Sequence, residues 1–341
     1  MKKSLLLHHP VILIVVLLLS SSCSRNNWIK NEGEVFGTYY HLIYESPEGK
    51  NLNDEVMLAL DSVNRALSTY DSTSVISRFN RSKKGIEVNN DHFRAVFTAA
   101  CRITEITEGA FDMTVAPLVN AWGFGFSKRQ NMTPALIDSL RMLVGMDNIT
   151  IEGDSVLKST SGIMLDASAI AKGYGVDVAA KVLERYGCKN YMVEIGGEIT
   201  TKGMNPKNIP WRIGIDKPID DPSASNREIQ TVIQLSGKSM ATSGNYRQFY
   251  IDKKTGKKYA HTIDPLSGEP VQHSLLSASI IADDCMTADA WATACMVMGL
   301  EKSLELLRQH PEVDGYFIHA TQDGMEVSWT EGFEKYFSAD D

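Results

Sequence analysis

The sequence predicts an α+β fold built as one domain. Its strand-like runs, rich in β-branched and aromatic residues, do not alternate strictly with the amphipathic helical stretches. This arrangement favours α+β over a doubly wound parallel sheet. The chain has 341 residues, of which 43% are hydrophobic and 22% are charged, and no internal repeat or low-complexity linker divides it. We therefore expect a single globular domain.

Helical stretches are recognised by their caps and by apolar residues spaced three or four apart. Asn53 can cap the first, and a second with the same spacing follows it. Thr133 caps a third, with a proline in its first turn and Gly145 past its end. A fourth helix is expected from 169 to 186.

Strand candidates lie between and after these helices. Residues 35–44 form the first, because they are rich in aromatic and β-branched types. Further short strands are expected at 191–195, 212–215, 229–235 and 276–281. Near the C-terminus, Asp323 and Gly324 lie between two strand-like runs, which predicts a hairpin.

The first residues predict export. Lys2 and Lys3 precede an apolar run at 10–19, which is too short for a membrane-spanning helix of roughly 20 residues. Small residues follow and end on Cys23. This pattern resembles a bacterial lipoprotein signal, in which the cysteine is lipidated and becomes the new N-terminus.

The leader sets the expected boundaries of the mature protein. We expect a signal peptide at 1–22, a polar tether at 23–34 and the folded domain at 35–341. The lipid would anchor the protein on the periplasmic face of a bacterial membrane, with the inner membrane favoured. Plain secretion without an anchor is the alternative.

Charge and cysteine content exclude several classes of protein. The formal net charge is −8 and no lysine-rich block occurs, which argues against nucleic acid as a partner. Beyond Cys23, no cysteine pair has the spacing of a zinc site, and buried free thiols are favoured over disulfides. The sequence lacks the G-x-S-x-G, H-E-x-x-H, Walker and G-x-G-x-x-G motifs, so the usual hydrolase, zinc-protease, kinase and dinucleotide-fold interpretations have no support.

The segment 287–299 offers two oxygen ligands for a metal. It is expected to be helical, so Asp289 and Thr293 are four residues apart and project from one face. A carboxylate and a hydroxyl suit Mg²⁺ or Ca²⁺ and not zinc. The alternative is that Asp289 only favours the helix dipole and Thr293 is only tolerated, since two ligands do not make a metal site.

The segment 164–178 combines a carboxylate with a possible phosphate site. A strand end delivers Asp166 to a loop, and the helix that follows places Lys172 in its first turn. Free N–H groups at a helix start attract phosphate, so this segment would suit a nucleotide. The alternative is a capped helix with a solvated lysine.

A third segment, 259–271, places His261 and Asp264 before a proline and a Ser-Gly turn. A histidine near a carboxylate can act as a base, although a lone histidine is more often structural. A fourth segment, 109–125, has glycine at both ends and is expected to be a closely packed loop.

These segments, in their order along the chain, resemble the ApbE family, the FAD:protein FMN transferases. The resemblance runs from about Val35 to Gly299. It is carried by FGT at 36–38, LSTYDSTSVISRFN at 67–80, GAFDMTVAPLVNAWGFG at 109–125, LDASAIAKGYGVD at 165–177, EIGGE at 194–198, ATSGNYRQF at 241–249, HTIDPLSGEP at 261–270 and TADAWATACMVMG at 287–299.

The resemblance implies an ApbE-like T-fold with a deep nucleotide cleft, and it implies roles for particular residues. Mg²⁺, or Mn²⁺ in its place, would be held by Asp289, Thr293 and the backbone carbonyl of Ala169. FAD would be contacted at Phe36, Tyr70, Ala110, Phe111, Asp112, Asp166, Lys172 and Ile263. Two positions depart from the family, which usually has methionine where Phe36 stands and aspartate where Asn245 stands.

The activity implied is Mg²⁺-dependent transfer of FMN from FAD to a threonine or serine hydroxyl of an exported flavoprotein, with release of AMP. His261 is the first candidate for the base and Asp289 the second. The implied acceptors are subunits of redox or ion-pumping complexes. Two alternatives stay open: an FAD pyrophosphatase, against which the aromatic Tyr70 argues, and a non-catalytic FAD-binding lipoprotein, against which the Asp289–Thr293 pair argues.

Overall fold

The computed structural model describes residues 27–219, 228–246, 249–252 and 256–338. Cys23 and the expected signal peptide lie outside these residues. Among the described residues, no helix has both the length and the apolar character needed to cross a membrane.

The described residues form strands, helices and three short 3₁₀ turns. The strands are β1 (Trp28–Val35), β2 (Thr38–Glu45), β3 (Gly85–Glu87), β4 (Ile149–Glu152), β5 (Ser155–Lys158), β6 (Tyr191–Ile195), β7 (Glu198–Lys202), β8 (Trp211–Asp216), β9 (Ile229–Leu235), β10 (Ser239–Gly244), β11 (Phe249–Ile251), β12 (Lys258–Ala260), β13 (Leu275–Ala282), β14 (Asp314–Thr321) and β15 (Gly324–Trp329). The helices are α1 (Asn53–Leu67), α2 (Val75–Arg81), α3 (Asp91–Ile106), α4 (Ala116–Trp122), α5 (Pro134–Arg141), α6 (Ala171–Arg185), α7 (Cys285–Met298) and α8 (Leu300–Leu307). The 3₁₀ turns are Met113–Val115, Met146–Asn148 and Glu331–Tyr336.

The largest sheet has eight strands in the order β1-β2-β6-β7-β10-β13-β14-β15. Its neighbouring strands are antiparallel. The side chains of β2 alternate, so that Tyr40, Leu42 and Tyr44 point into a core shared with α1 and α6. This antiparallel sheet with packed helices confirms the α+β prediction.

The N-terminal boundary predicted from the sequence is wrong. Residues 28–34, expected to belong to the tether, form β1 at the edge of the sheet, where Trp28 packs against Trp211 with ring centroids 6.0 Å apart. The strand expected at 35–44 is the second half of a hairpin, because Phe36 and Gly37 have φ of 54° and 74° and turn the chain back. The sequence did not predict this strand because β1 carries many polar residues, and an edge strand keeps much of its surface in water.

The other sequence-predicted helices and strands of the described residues are confirmed with shifted ends, but three expectations are wrong. Leu52, and not Asn53, is the N-cap of α1, and residues 163–167 form no strand before the loop of Asp166. The segment expected to be a loop at 109–125 contains the 3₁₀ turn Met113–Val115 and α4, because its proline stands at a helix start. The helix at 287–299 begins earlier, at Cys285, and the helix expected from 169 begins at Ala171. The hairpin at Asp323 and Gly324 joins β14 to β15. The cysteines of the described residues are free, and all are buried except Cys101, which is partly exposed.

The opposite face of the large sheet is covered by β8, β9 and the C-terminal 3₁₀ turn. They share a core with the sheet that includes Trp211, Ile233, Met240 and Phe333. The helices α6 and α7 therefore lie on one face only, and their N-terminal ends come together there.

Candidate functional site

The N-terminal half of α7 packs closely against the start of α6. A Cβ placed on Gly173 would lie 2.3 Å from the carbonyl oxygen of Cys285 and 2.8 Å from Cβ of Asp289, so only glycine allows this approach. Asp289 is 3% exposed, and its Oδ2 accepts a hydrogen bond from the Gly173 N–H at 2.9 Å. The two segments that the sequence analysis singled out thus meet at one place.

The N-terminus of α7 is capped by other carboxylates. Asp177, on α6, accepts hydrogen bonds from the N–H groups of Cys285 and Met286, each at 2.9 Å. Asp284 accepts from the Thr287 N–H at 2.8 Å. These two residues satisfy free N–H groups of the first turn, and Asp289, the fifth residue of α7, lies beyond that turn.

Asp177 was not predicted as a functional residue, although it ends one of the family-like motifs. Burial raises the pKa of its carboxyl to about 7, against the lowering effect of its two backbone hydrogen bonds. The sequence could not reveal its partners, because they lie more than a hundred positions away.

Lys172 is not the solvated lysine that the sequence suggested. Its ammonium lies 2.6 Å from Oε1 of Glu198, a carboxylate that is 2% exposed, and its own side chain is 34% exposed. Burial works against the charge of Lys172, but the carboxylates of Glu198 and Asp289 outweigh it and raise the lysine pKa. The stem of Lys172 passes close to the Gly-Gly turn that precedes Glu198.

Glu198 is a second residue that sequence reasoning missed. It follows the Gly-Gly turn of the EIGGE motif, to which no role was given. Burial raises the pKa of its carboxyl, and Lys172 opposes this rise. Burial also raises the pKa of Asp289, again against Lys172. The ion pair of Lys172 with Glu198, together with the buried Asp289 carboxylate whose charge acts on the lysine, therefore forms the charged centre of the site.

The family resemblance implies three oxygen ligands for a divalent cation, from Asp289, Thr293 and the Ala169 carbonyl. Asp289 and Thr293 are one turn apart on α7, and the Thr293 hydroxyl lies 3.3 Å from that of Ser243. The Gly173 N–H, which in a regular helix would donate to the Ala169 carbonyl, donates to Asp289, and no hydrogen bond to that carbonyl occurs among the described residues. A carboxylate, a hydroxyl and a carbonyl fit Mg²⁺, which usually keeps several waters.

The fit of these oxygen ligands to Mg²⁺ does not require a larger cluster of acidic side chains. Within the part of the chain that the structure describes, no group of three or more His, Cys, Asp or Glu side chains is arranged to hold a metal. A Mg²⁺ site with a single protein carboxylate is compatible with this, because backbone and hydroxyl oxygens complete it.

The loop that leads into α6 borders a cavity of about 180 Å³. Asp166 lines it, and its Oδ1 accepts from the N–H and hydroxyl of Ser168. Thr69 and Phe126 line the other side, where the Phe126 ring contacts Tyr70 at 4.8 Å between centroids. Pockets for drug-sized ligands have roughly 300–1,000 Å³, so this cavity would hold one part of a dinucleotide.

Tyr70 presents its ring to solvent at the edge of this cavity. It is 87% exposed, which is unusual for a large aromatic side chain. Its ring makes a T-shaped contact with that of Phe126, and most of its remaining surface faces water. This arrangement suits the flavin contact that the family resemblance implies for Tyr70.

The segment 110–112 adjoins the same loop through its backbone. The Asp166 N–H donates to the Met113 carbonyl at 2.7 Å. Ala110 and Phe111 are buried, and Asp112 accepts from the N–H and hydroxyl of Thr114. Burial raises the pKa of Asp112, against these hydrogen bonds. A ligand would meet this segment mainly through its backbone groups.

The remaining predicted residues, Phe36, Ile263 and His261, are each placed by a separate contact. Phe36, at the β1–β2 turn, packs so closely that a Cβ on Gly175 of α6 would lie 2.5 Å from its ring. Ile263 is buried in a cluster with Leu118 and Trp122. His261 lies with its ring centroid 6.5 Å from that of Phe124.

A side-chain contact and a short stretch of backbone link the His261 segment to the middle of α7. Thr262 donates to Oδ1 of Asn245 at 2.6 Å. Asn245 comes two residues after Ser243, which lies near the end of β10, and the Ser243 hydroxyl lies 3.3 Å from that of Thr293. An amide therefore accepts this hydrogen bond where the family commonly has aspartate. The charge of an aspartate is not needed for the contact, because the amide oxygen is also an acceptor.

Comparison with known proteins places the chain among flavin transferases. A model of the ApbE family matches residues 36–317. A Vibrio cholerae protein called FAD:protein FMN transferase is 38% identical over 314 residues, which cover 90% of this chain and 92% of that protein. A Haemophilus influenzae protein of the same name is 38% identical over 321 residues, covering 90% and 91%.

Solved structures give the same result. The flavin transferase ApbE from Vibrio cholerae matches with a TM-score of 0.81 and 36% identity, over 91% of this chain and 99% of that one. The apo form of the Pseudomonas stutzeri flavinyl transferase ApbE matches with a TM-score of 0.81 and 32% identity, over 92% and 97%.

Proposed function

Because the chain belongs to the ApbE family, we propose that it transfers the FMN part of FAD to a threonine or serine hydroxyl of another protein, with a divalent cation, and releases AMP. The observation that carries this proposal is the hydrogen bond from the Gly173 N–H to buried Asp289, one residue along α6 from Lys172 and its ion pair with Glu198. This arrangement offers oxygen ligands beside a fixed positive charge. The pyrophosphate of FAD, with two negative charges, needs both.

The cation would be held by Asp289, Thr293 and the Ala169 carbonyl, where it would neutralise and polarise the phosphoryl oxygens. Lys172 pairs with a phosphate oxygen as a point charge. Because the ammonium has three N–H donors and Glu198 takes one, others are left for the nucleotide. The burial of Asp289 and Glu198 lowers the local dielectric and strengthens these interactions.

A base has to accept the proton of the acceptor hydroxyl. His261 is the first candidate, because its neighbour Thr262 contacts Asn245, two residues along the chain from the serine that faces Thr293. Asp289 is the second candidate, but a carboxylate that also binds the cation is a weaker base. Activity at different pH in a His261→Gln variant would separate the two.

One assay tests the proposed function against its alternatives. Purified protein is incubated with FAD, Mg²⁺ and a candidate exported flavoprotein subunit, and the products are separated by denaturing gel and chromatography. We expect a fluorescent acceptor band together with free AMP. Free FMN and AMP without a fluorescent band would indicate a pyrophosphatase, and unchanged FAD would indicate a binding protein.

We also propose that the protein is anchored to the periplasmic face of a bacterial membrane through lipidated Cys23, with the inner membrane favoured. Support comes from the basic, apolar and small-residue pattern that ends on this cysteine. Exported subunits of redox or ion-pumping complexes are acceptors that such a location would make available.

A further inference from the structure

The turn between β6 and β7 supports the stem of Lys172. Gly196 and Gly197 have φ of 62° and 101°, which closes a two-residue hairpin. A Cβ on Gly196 would lie 2.8 Å from the Thr38 methyl carbon and 3.4 Å from Cδ of Lys172. The aliphatic stem therefore runs close to the turn and is limited in the directions it can take.

Glu198 holds the other end of this side chain. It is the first residue of β7, and its Oε1 lies 2.6 Å from the Lys172 ammonium. Its Oε2 is buried and has no hydrogen-bond partner among the described residues. A buried carboxylate oxygen without a partner destabilises the fold, so the position of Glu198 calls for a role other than stability alone.

Asp289 is the competing partner for the same ammonium. Its charge acts on Lys172, yet the described residues give Lys172 an ion pair with Glu198 and none with Asp289. If the ammonium moved onto Asp289, it would occupy the carboxylate assigned to the cation. It would also leave the position from which it reaches a phosphate.

We propose that Glu198 is a positioning residue that holds Lys172 away from Asp289, so that Lys172 can meet a nucleotide phosphate while Asp289 takes the cation. This inference rests on the proposed function. A neutral amide at position 198 would bind the ammonium more weakly than the Asp289 carboxylate does, because charge-assisted hydrogen bonds are roughly twice as strong as neutral ones. Lys172 would then pair with Asp289.

The test measures binding and does not depend on transfer. FAD affinity is titrated by fluorescence in EDTA, and Mn²⁺ affinity by electron paramagnetic resonance, for the wild type and the Glu198→Gln variant. We expect both affinities to fall about tenfold, which corresponds to one charge-assisted contact. A general field effect predicts the opposite for FAD, since losing a negative charge would strengthen the binding of an anion.

A Lys172→Met background tests whether Glu198 acts through the lysine. In that background Glu198→Gln should leave FAD affinity unchanged, because no ammonium remains to be positioned. The matched control is Glu194→Gln, which removes the same charge from the same hairpin, where the carboxylate lies 3.1 Å from Nδ1 of His41. This control should bind FAD like the wild type.

The Glu198→Asp variant provides a second test that keeps the buried charge. Its shorter side chain withdraws the carboxylate from Lys172, so FAD affinity should again fall. If Glu198→Gln binds FAD as tightly as the wild type, the inference is overturned and the proposed function stays intact. If the amide variant does not fold, the same result for Glu198→Asp overturns the inference. A wild type that binds neither FAD nor Mn²⁺ would overturn both.

Discussion

At the scale of single residues, Lys172 links ligand binding to the stability of the fold. Its ammonium faces a nucleotide in the proposed function and neutralises Glu198, which is 2% exposed. Removing the lysine therefore leaves a buried carboxylate without its partner. The effect on stability depends on whether that carboxylate is ionised.

We expect Lys172→Met to weaken FAD binding and to lower the free energy of unfolding by about 1–3 kcal/mol at pH 8, less than a fully buried pair would cost because Lys172 is 34% exposed. The loss should shrink toward pH 5. Burial raises the folded-state pKa of Glu198, so its contribution to stability is present below the unfolded pKa and is lost as pH rises through the folded one. Urea unfolding at the two pH values measures this difference.

The control for this variant is Lys202→Met, which breaks the solvent-exposed pair between Lys202 and Glu184. Its cost should stay below about 1 kcal/mol at both pH values. A Lys172→Met penalty that is equal at the two pH values, or larger at pH 5, would contradict the assigned role of Glu198.

The sequence predicted some of these residues and could not predict others. The sequence could single out Asp289, Thr293 and Lys172 because each lies in a stretch that it predicts to be helical. Glu198 and Asp177 were not, because their roles depend on partners brought close only by the fold. Whether Lys172 is solvated or paired cannot be decided from its helix alone.

At the scale of elements, the site depends on how closely α6 approaches α7. Gly173 permits the contact with Cys285, and its N–H fixes the Asp289 carboxylate. Any side chain at this position has to push the helices apart, because the nearest atom is a backbone oxygen of a buried helix start.

We expect Gly173→Ala to lower the free energy of unfolding by about 1–3 kcal/mol, as overpacking does, and to weaken Mn²⁺ binding by displacing Asp289. The matched control is Gly214→Ala in β8, where the new Cβ would make an ordinary contact of 3.4 Å with Ile229. Urea unfolding and Mn²⁺ titration of both variants check this. Equal stability of the two variants would show that the helices are not in close contact at Gly173.

The elements themselves were largely predictable, and the exception has a physical reason. Strands and helices with one buried face can be predicted from the periodic spacing of their apolar residues, as β6 and β9 were. The edge strand β1 does not, because it is mostly polar and its aromatic partner Trp211 comes from a distant part of the chain. Its pairing with β2 became visible only in the fold.

At the scale of the whole molecule, the early start of β1 limits how far the domain can lie from its proposed anchor. Trp28 begins the sheet five positions after Cys23. A fully extended chain spans at most about 3.6 Å per residue, so this segment reaches no more than about 18 Å. A lipid on Cys23 would therefore hold the domain close to the membrane surface.

We expect Cys23→Ala to move the protein from the membrane to the soluble periplasmic fraction, because the lipid would be the main attachment. Cell fractionation followed by immunoblotting measures this, with Cys101→Ala as the control that retains the anchor. Unchanged membrane retention of Cys23→Ala would rule out lipidation at this residue.

The most direct test of the proposed activity is the metal dependence of FMN transfer. Wild type should be silent in EDTA and active again with Mg²⁺ or Mn²⁺. Asp289→Asn should abolish transfer, since it removes the charge while the amide oxygen can still accept the Gly173 N–H. Thr293→Ala should reduce transfer less, because water can replace a neutral hydroxyl around Mg²⁺. Undiminished transfer by the wild type in EDTA, or full activity of Asp289→Asn with Mg²⁺, would contradict the assigned cation site and the function built on it.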